Sequence, residues 1–153
     1  MQDDCVPVEG FLTAADRVRD VLPEAMICFC VQGMLAHSRT AYDNALRYGP
    51  NLVQLRGLMW VPALAVGWTP TLASCASTWE QTQRRSPRWK GDDAVLVAFA
   101  NYCRVEVWAT APSIVDHPDD TVSLIGKRAY GRPNRRPIAL HDGNAEDLVF
   151  AAS

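Results

Sequence analysis

The chain of 153 residues has no glycine-rich phosphate loop and no Gly-x-Ser-x-Gly turn, which argues against nucleotide-binding and serine-hydrolase chemistry. Metal-ligand spacing is missing too. Cys28 and Cys30 are separated by a single residue, no second cysteine pair has ligand spacing, and only His37, His117 and His141 could supplement them. No metal and no cofactor is expected, and the cysteines read as small apolar core side chains. Internal repeats and low-complexity segments are absent. The longest uncharged apolar run, residues 57–68, falls short of the ~20 residues that a bilayer core requires and contains Pro62, so no membrane anchor is expected. Charge of one sign is not in excess: a net charge of −2 argues against broad attraction to nucleic acid or to acidic membranes. Residues 2–4, Gln-Asp-Asp, stand where an export signal would carry basic and then apolar residues, so no such signal is read. Five cysteines, odd in number and irregularly spaced, favour reduced thiols and a cytoplasmic setting.

What is present is a chain with 48% hydrophobic and 21% charged residues, enough to bury one core as a single domain over residues 1–153, alone or as a segment of a larger protein. Residues 89–109 organise the rest. Asp92 and Asp93 follow Gly91 and suit the first turn of a helix, along which Val95, Phe99 and Tyr102 recur with Leu96, Ala100 and Cys103 beside them. From Arg104 the period drops to two. Val105, Val107 and Ala109 then point one way and Arg104, Glu106 and Trp108 the other, as in a strand with one buried face.

Earlier in the chain, from Glu9 or Gly10, Phe11, Ala14, Ala15, Val18 and Leu22 predict an amphipathic helix ended by Pro23. Residues 25–35 are apolar nearly all round and belong in the core, a helix being favoured over a strand. Ser38 or Thr40 would cap a short helix through Tyr42, Ala45 and Leu46, closed by Gly49-Pro50. Residues 52–68 read as a buried helix or a helix–strand pair, and residues 77–83 as a helix. Residues 110–120 read as a loop. Val122, Leu124 and Tyr130 are candidate strand residues, and residues 138–140 and 148–150 are expected to pair as a hairpin across Asp142-Gly143. Basic clusters lie at Arg84, Arg85, Arg88 and Lys90, and at Lys127, Arg128, Arg132, Arg135 and Arg136. The second could meet RNA or an acidic partner, though a solvated loop is the simpler reading.

The run Trp89-Lys90-Gly91-Asp92-Asp93, the helix 95–100 and the strand Val105-Glu106-Val107 resemble the ovarian-tumour (OTU) family of deubiquitinating cysteine proteases. Its members carry a Trp-Gly-Asp/Glu helix start, an Ala-rich helix and a strand in this order, and a last strand that begins with the catalytic His. The resemblance implies an α+β fold of OTU/papain-like architecture, a small mixed sheet flanked by helices. The closing run Gly143-Asn144-Ala145-Glu146-Asp147-Leu148 resembles the family's ending, but Ala145 stands at the position of the His and Glu146 at that of the aromatic residue.

The family's Asp-Gly-Asn-Cys nucleophile motif is missing as well. The runs ending at Cys28 and at Cys5 are its nearest cysteine-bearing counterparts, and a third alignment sets Val8-Glu9-Gly10-Phe11-Leu12 over it, with Phe11 replacing the nucleophile. Two functional expectations follow. The favoured one is an inactive OTU-like domain of a viral protein, acting as a protein-interaction or structural module, with ubiquitin or another subunit of an assembly as candidate partner. The alternative is an active deubiquitinase with Cys28 as nucleophile, His141 as base and Asn144 orienting it.

Overall fold

The computed structural model describes residues 5–32, 36–49, 51–57, 65–83, 92–118 and 137–151. The elements follow in the order β1 (Val6–Pro7), α1 (Phe11–Val21), β2 (Met26–Cys28), α2 (Ala36–Tyr48), β3 (Leu52–Leu55), β4 (Val66–Gly67), α3 (Pro70–Gln83), α4 (Asp92–Cys103), β5 (Val107–Thr110), β6 (Val115–Asp116) and a 3-10 turn, Ala145–Asp147. The fold is α+β with a small mixed sheet. Its four strands run in the order β3-β5-β2-β4, and β1 pairs with β6 in a separate two-stranded ribbon.

The sheet is built around β2 and β5, which pair in parallel with Met26 opposite Val107 and Cys28 opposite Ala109. Antiparallel β3 flanks β5, and antiparallel β4 flanks β2. Side chains alternate between two cores. Met26, Cys28, Val53, Leu55, Val107 and Ala109 join Tyr42 of α2 and Phe99 of α4 on one face. Ile27, Phe29, Leu52 and Trp108 join Ala14 and Val18 of α1 and Ala145 on the other. Helices therefore cover both faces.

That layering corrects several expectations. Residues 26–28 form a strand, not a helix, because a strand buried on both sides shows a continuous apolar run that periodicity cannot tell from a buried helix. All four residues of β5 are buried, where one solvated face was expected. Residues 52–68 supply β3 and β4, with residues 58–64 outside the described set. The loop expected over residues 110–120 contains β6.

The final hairpin does not form. Leu140 makes an isolated parallel bridge to Ser113, and the chain after Gly143 enters the 3-10 turn, capped by Asn144 Oδ1 accepting from the Glu146 amide at 2.9 Å. α2 begins before the caps expected for it. Ser38 lies inside the helix, where its hydroxyl donates to the Arg56 carbonyl at 3.1 Å and ties α2 to the end of β3. α3 begins at Pro70, well before residue 77, with the Thr69 hydroxyl accepting from the Leu72 amide at 3.2 Å. The strand candidates Val122, Leu124 and Tyr130 lie outside the described residues.

Phe99 is 1% exposed and packs against Trp79 with ring centroids 5.9 Å apart, which joins α3 to the core beneath α4. Phe99→Ala is expected to lower unfolding free energy by about 3–5 kcal/mol, measured by denaturant titration with the slope unchanged.

Candidate functional site

Residues 9–17 and 144–146 meet at the first turns of α1. Gly10 precedes that helix with φ +73°, a left-handed conformation. Its carbonyl accepts from the Ala14 amide at 3.0 Å, while the carbonyl of Glu9 accepts from the Ala145 amide at 2.8 Å. Arg17, farther along α1, reaches across and donates to the Glu146 carbonyl at 2.6 Å. The backbone of the last segment is thereby fastened to the start of the first helix.

The approach leaves no room for a side chain at residue 10. A Cβ on Gly10 would overlap Asn144 Oδ1 and come within 2.7 Å of Glu146 Cγ. Beneath this clasp Ala145 is fully buried, and Phe11 packs against the same cluster, edge-on to Phe29 at 5.3 Å. Phe11 and Ala145 are thus brought to one apolar cluster from opposite ends of the chain. A phenyl ring and a methyl group neither attack a carbonyl nor move a proton.

Cys28, His141 and Asn144 are distributed differently. Cys28 is wholly buried within β2 and belongs to the core of the opposite sheet face, with Met26 and Tyr42. His141 and Asn144 are half-buried and sit together. His141 Nε2 donates to the Asn144 carbonyl at 3.1 Å, and the His141 amide donates to the Ser113 carbonyl at 2.8 Å. The imidazole is therefore held within its own turn, and the Asn144 side chain serves as the cap of the next one. Lys127, Arg128, Arg132, Arg135 and Arg136 lie outside the described residues, as do Arg84, Arg85, Arg88 and Lys90.

Cys30 and Tyr42, read from the sequence as a core thiol and a helix residue, shape the interior. Cys30, fully buried in the α1-side core, has its thiol pushed up to about 12, first by burial, then by the neighbouring Cys5 and Asp116. It is a protonated packing group at neutral pH. Tyr42 is also pushed up to about 12, chiefly by burial, and its hydroxyl lies 3.3 Å from Ser113 Oγ, which accepts from the Val31 amide at 3.0 Å. No sequence pattern marks Ser113, which lies in a predicted loop.

Among the described residues, no group of three or more His, Cys, Asp or Glu side chains is placed to hold a metal ion, and no helix is long and apolar enough to cross a membrane. Compared with protein-family models, curated proteins and solved structures, the chain has no match.

Two outcomes follow from this geometry. Gly10→Ala combines an unfavourable positive φ with a clash, and is expected to cost more than about 1 kcal/mol and to expose the 144–147 segment, measured by denaturant melts and by hydrogen exchange at Ala145. Because Cys30 and Tyr42 ionise less readily folded than unfolded, the unfolded chain releases protons first as pH rises. Their contribution is complete below the ordinary thiol value of 9.0 and declines as pH climbs toward about 12. Denaturant midpoints should fall across that window, with a shallower decline in Cys30→Ala.

Proposed function

We propose that this chain is a catalytically silent OTU-like domain that works as a protein-interaction or structural module. The reading rests on the resemblance of residues 89–107 and 143–148 to that family, and on one observation: Phe11 and Ala145, which the resemblance aligns with nucleophile and base, pack against a single apolar cluster at the start of α1. In a working cysteine protease, a thiol at such a helix start gains acidity from the helix dipole, and an imidazole facing it takes the proton. Here Phe11 stands at the helix start and Ala145 in the closing segment, and neither side chain can react.

The Ala145 methyl group is fully buried, and the hydrogen bonds around it fasten backbone to backbone. Such an arrangement favours retained shape over turnover. The partner under this reading is a protein, with ubiquitin or a neighbouring subunit as candidates, and the setting is cytoplasmic. Deubiquitination through Cys28 and His141 is the competing reading. It requires a buried strand thiol to become accessible and His141 to leave the Asn144 carbonyl.

A ubiquitin-propargylamide probe tests the choice. The wild-type chain is expected to form no covalent adduct, while isotope-labelled ubiquitin titrated with the chain shows saturable shifts of a contiguous set of amides. A covalent adduct that disappears in Cys28→Ala would overturn the proposal. A ubiquitin spectrum without shifts removes ubiquitin as the partner and leaves the structural role.

A further inference from the structure

The C-terminus of α4 ends in a way that its sequence does not favour. The Val105 amide donates to the Ala100 carbonyl at 2.9 Å, the six-to-one hydrogen bond of a Schellman ending. The residue that makes the left-handed turn in such an ending is usually glycine. Here it is Arg104, with φ +55°, the one non-glycine residue in that region among those described. A glycine would complete the same turn without steric cost, so Arg104 stands there against local backbone preference.

Arg104, exposed, is among the residues lining an open surface cleft of about 280 Å³ between the end of α4, the end of β3 and the approach to β5. Arg56 stands on the β3 side, its Nε and Nη2 donating to Gln54 Oε1 at 2.8 and 2.5 Å, which orients the guanidinium. Asn101 adds an amide from α4. Glu106 is the acidic residue on the wall, and its Oε2 accepts from Trp108 Nε1 at 3.0 Å. Arg104 makes no hydrogen bond or ion pair with any described residue. Two arginines thus line a small recess beside one carboxylate, that of Glu106, which accepts from the Trp108 indole.

We infer that this cleft binds the oxyanion group of a small ligand, a carboxylate or a phosphate, with Arg104 as the principal contact and Arg56 and Asn101 beside it. A planar guanidinium presents paired N–H donors that match two oxygens of either group. The β3 face of the recess is fixed by the sheet, and the α4 face by the helix ending. The cleft shares none of its lining residues with the clasp at Gly10 and Ala145, so the inference stands whether or not the protease resemblance holds.

Inorganic phosphate and succinate, titrated separately into the full chain at constant ionic strength, distinguish the two oxyanions. Saturable chemical-shift changes are expected at residues 101–106 with at least one of them, together with a rise in Tm. Arg104→Gly is expected to raise the ligand-free Tm by about 2–4 °C through relief of the left-handed turn, and to weaken the binding by roughly tenfold or more. Arg104→Asn keeps a residue that tolerates the turn and is expected to lose binding to a similar extent. Shifts that fail to saturate with either anion would overturn the site. So would equal affinity in the wild type and both variants, the outcome expected of an adventitious ion only.

Discussion

The parallel pairing of β2 with β5 is the constraint on which the remaining structure depends. Met26, Ile27 and Cys28 align with Val107, Trp108 and Ala109, so each strand sends side chains into both cores. Parallel neighbours cannot be joined by a tight turn. The chain must leave after β2, build α2, β3, β4, α3 and α4, and return before β5 can pair. A strand buried on both faces also needs cover on both, which α2, α3 and α4 provide on one side and α1 with the 3-10 turn on the other. Burial of this kind supplies the main driving force for the fold, while the ladder satisfies the backbone groups taken from water.

The α1 face is closed by residues from the two ends of the described chain. Gly10 can bring its backbone against Asn144 because it has no Cβ, and the Glu9 carbonyl then receives the Ala145 amide. Nearby, Ser113 links three segments distant in sequence: its hydroxyl accepts from Val31 and lies against Tyr42, while its backbone bonds to Ala139 and His141. Polar groups buried this deeply are costly unless satisfied, which makes such a network selective for one arrangement of those segments. The region corresponding to a protease centre in the proposed relationship is thus organised by packing and backbone hydrogen bonds.

Legibility in the sequence followed the kind of signal. α1 begins at Phe11, one or two residues after the start expected at Glu9 or Gly10, and its spacing is legible because one of its faces is solvated and the other buried. α4 begins at Asp92, and the switch to a two-residue period after it places Val107 and Ala109 on the face opposite Trp108. β2 carries no alternation to distinguish it from a buried helix, because both of its faces are buried. The Asp142-Gly143 pair does mark a turn, with Gly143 at φ +147°, yet the following residues pack on α1 instead of returning to Leu140. Of the proposed site, Ala145 and Phe11 could be named from alignment to a family pattern. Their placement in one cluster could not.

By itself the sequence determined that helices and strands share one layered core, and that this core draws on residues 11–22 and 25–31 and on the unit around Phe99 and Val107. Composition and period are local quantities, and they report which side chains avoid water. Tertiary structure alone decided which sheet face each residue joins, which strands are neighbours, that Ala145 lies against the start of α1, and that Arg104 stands at the mouth of a cleft. Those relations connect residues up to 136 positions apart, as the bond from Ala145 to Glu9 does, and are set by the joint packing of all the layers, to which no short window of sequence has access.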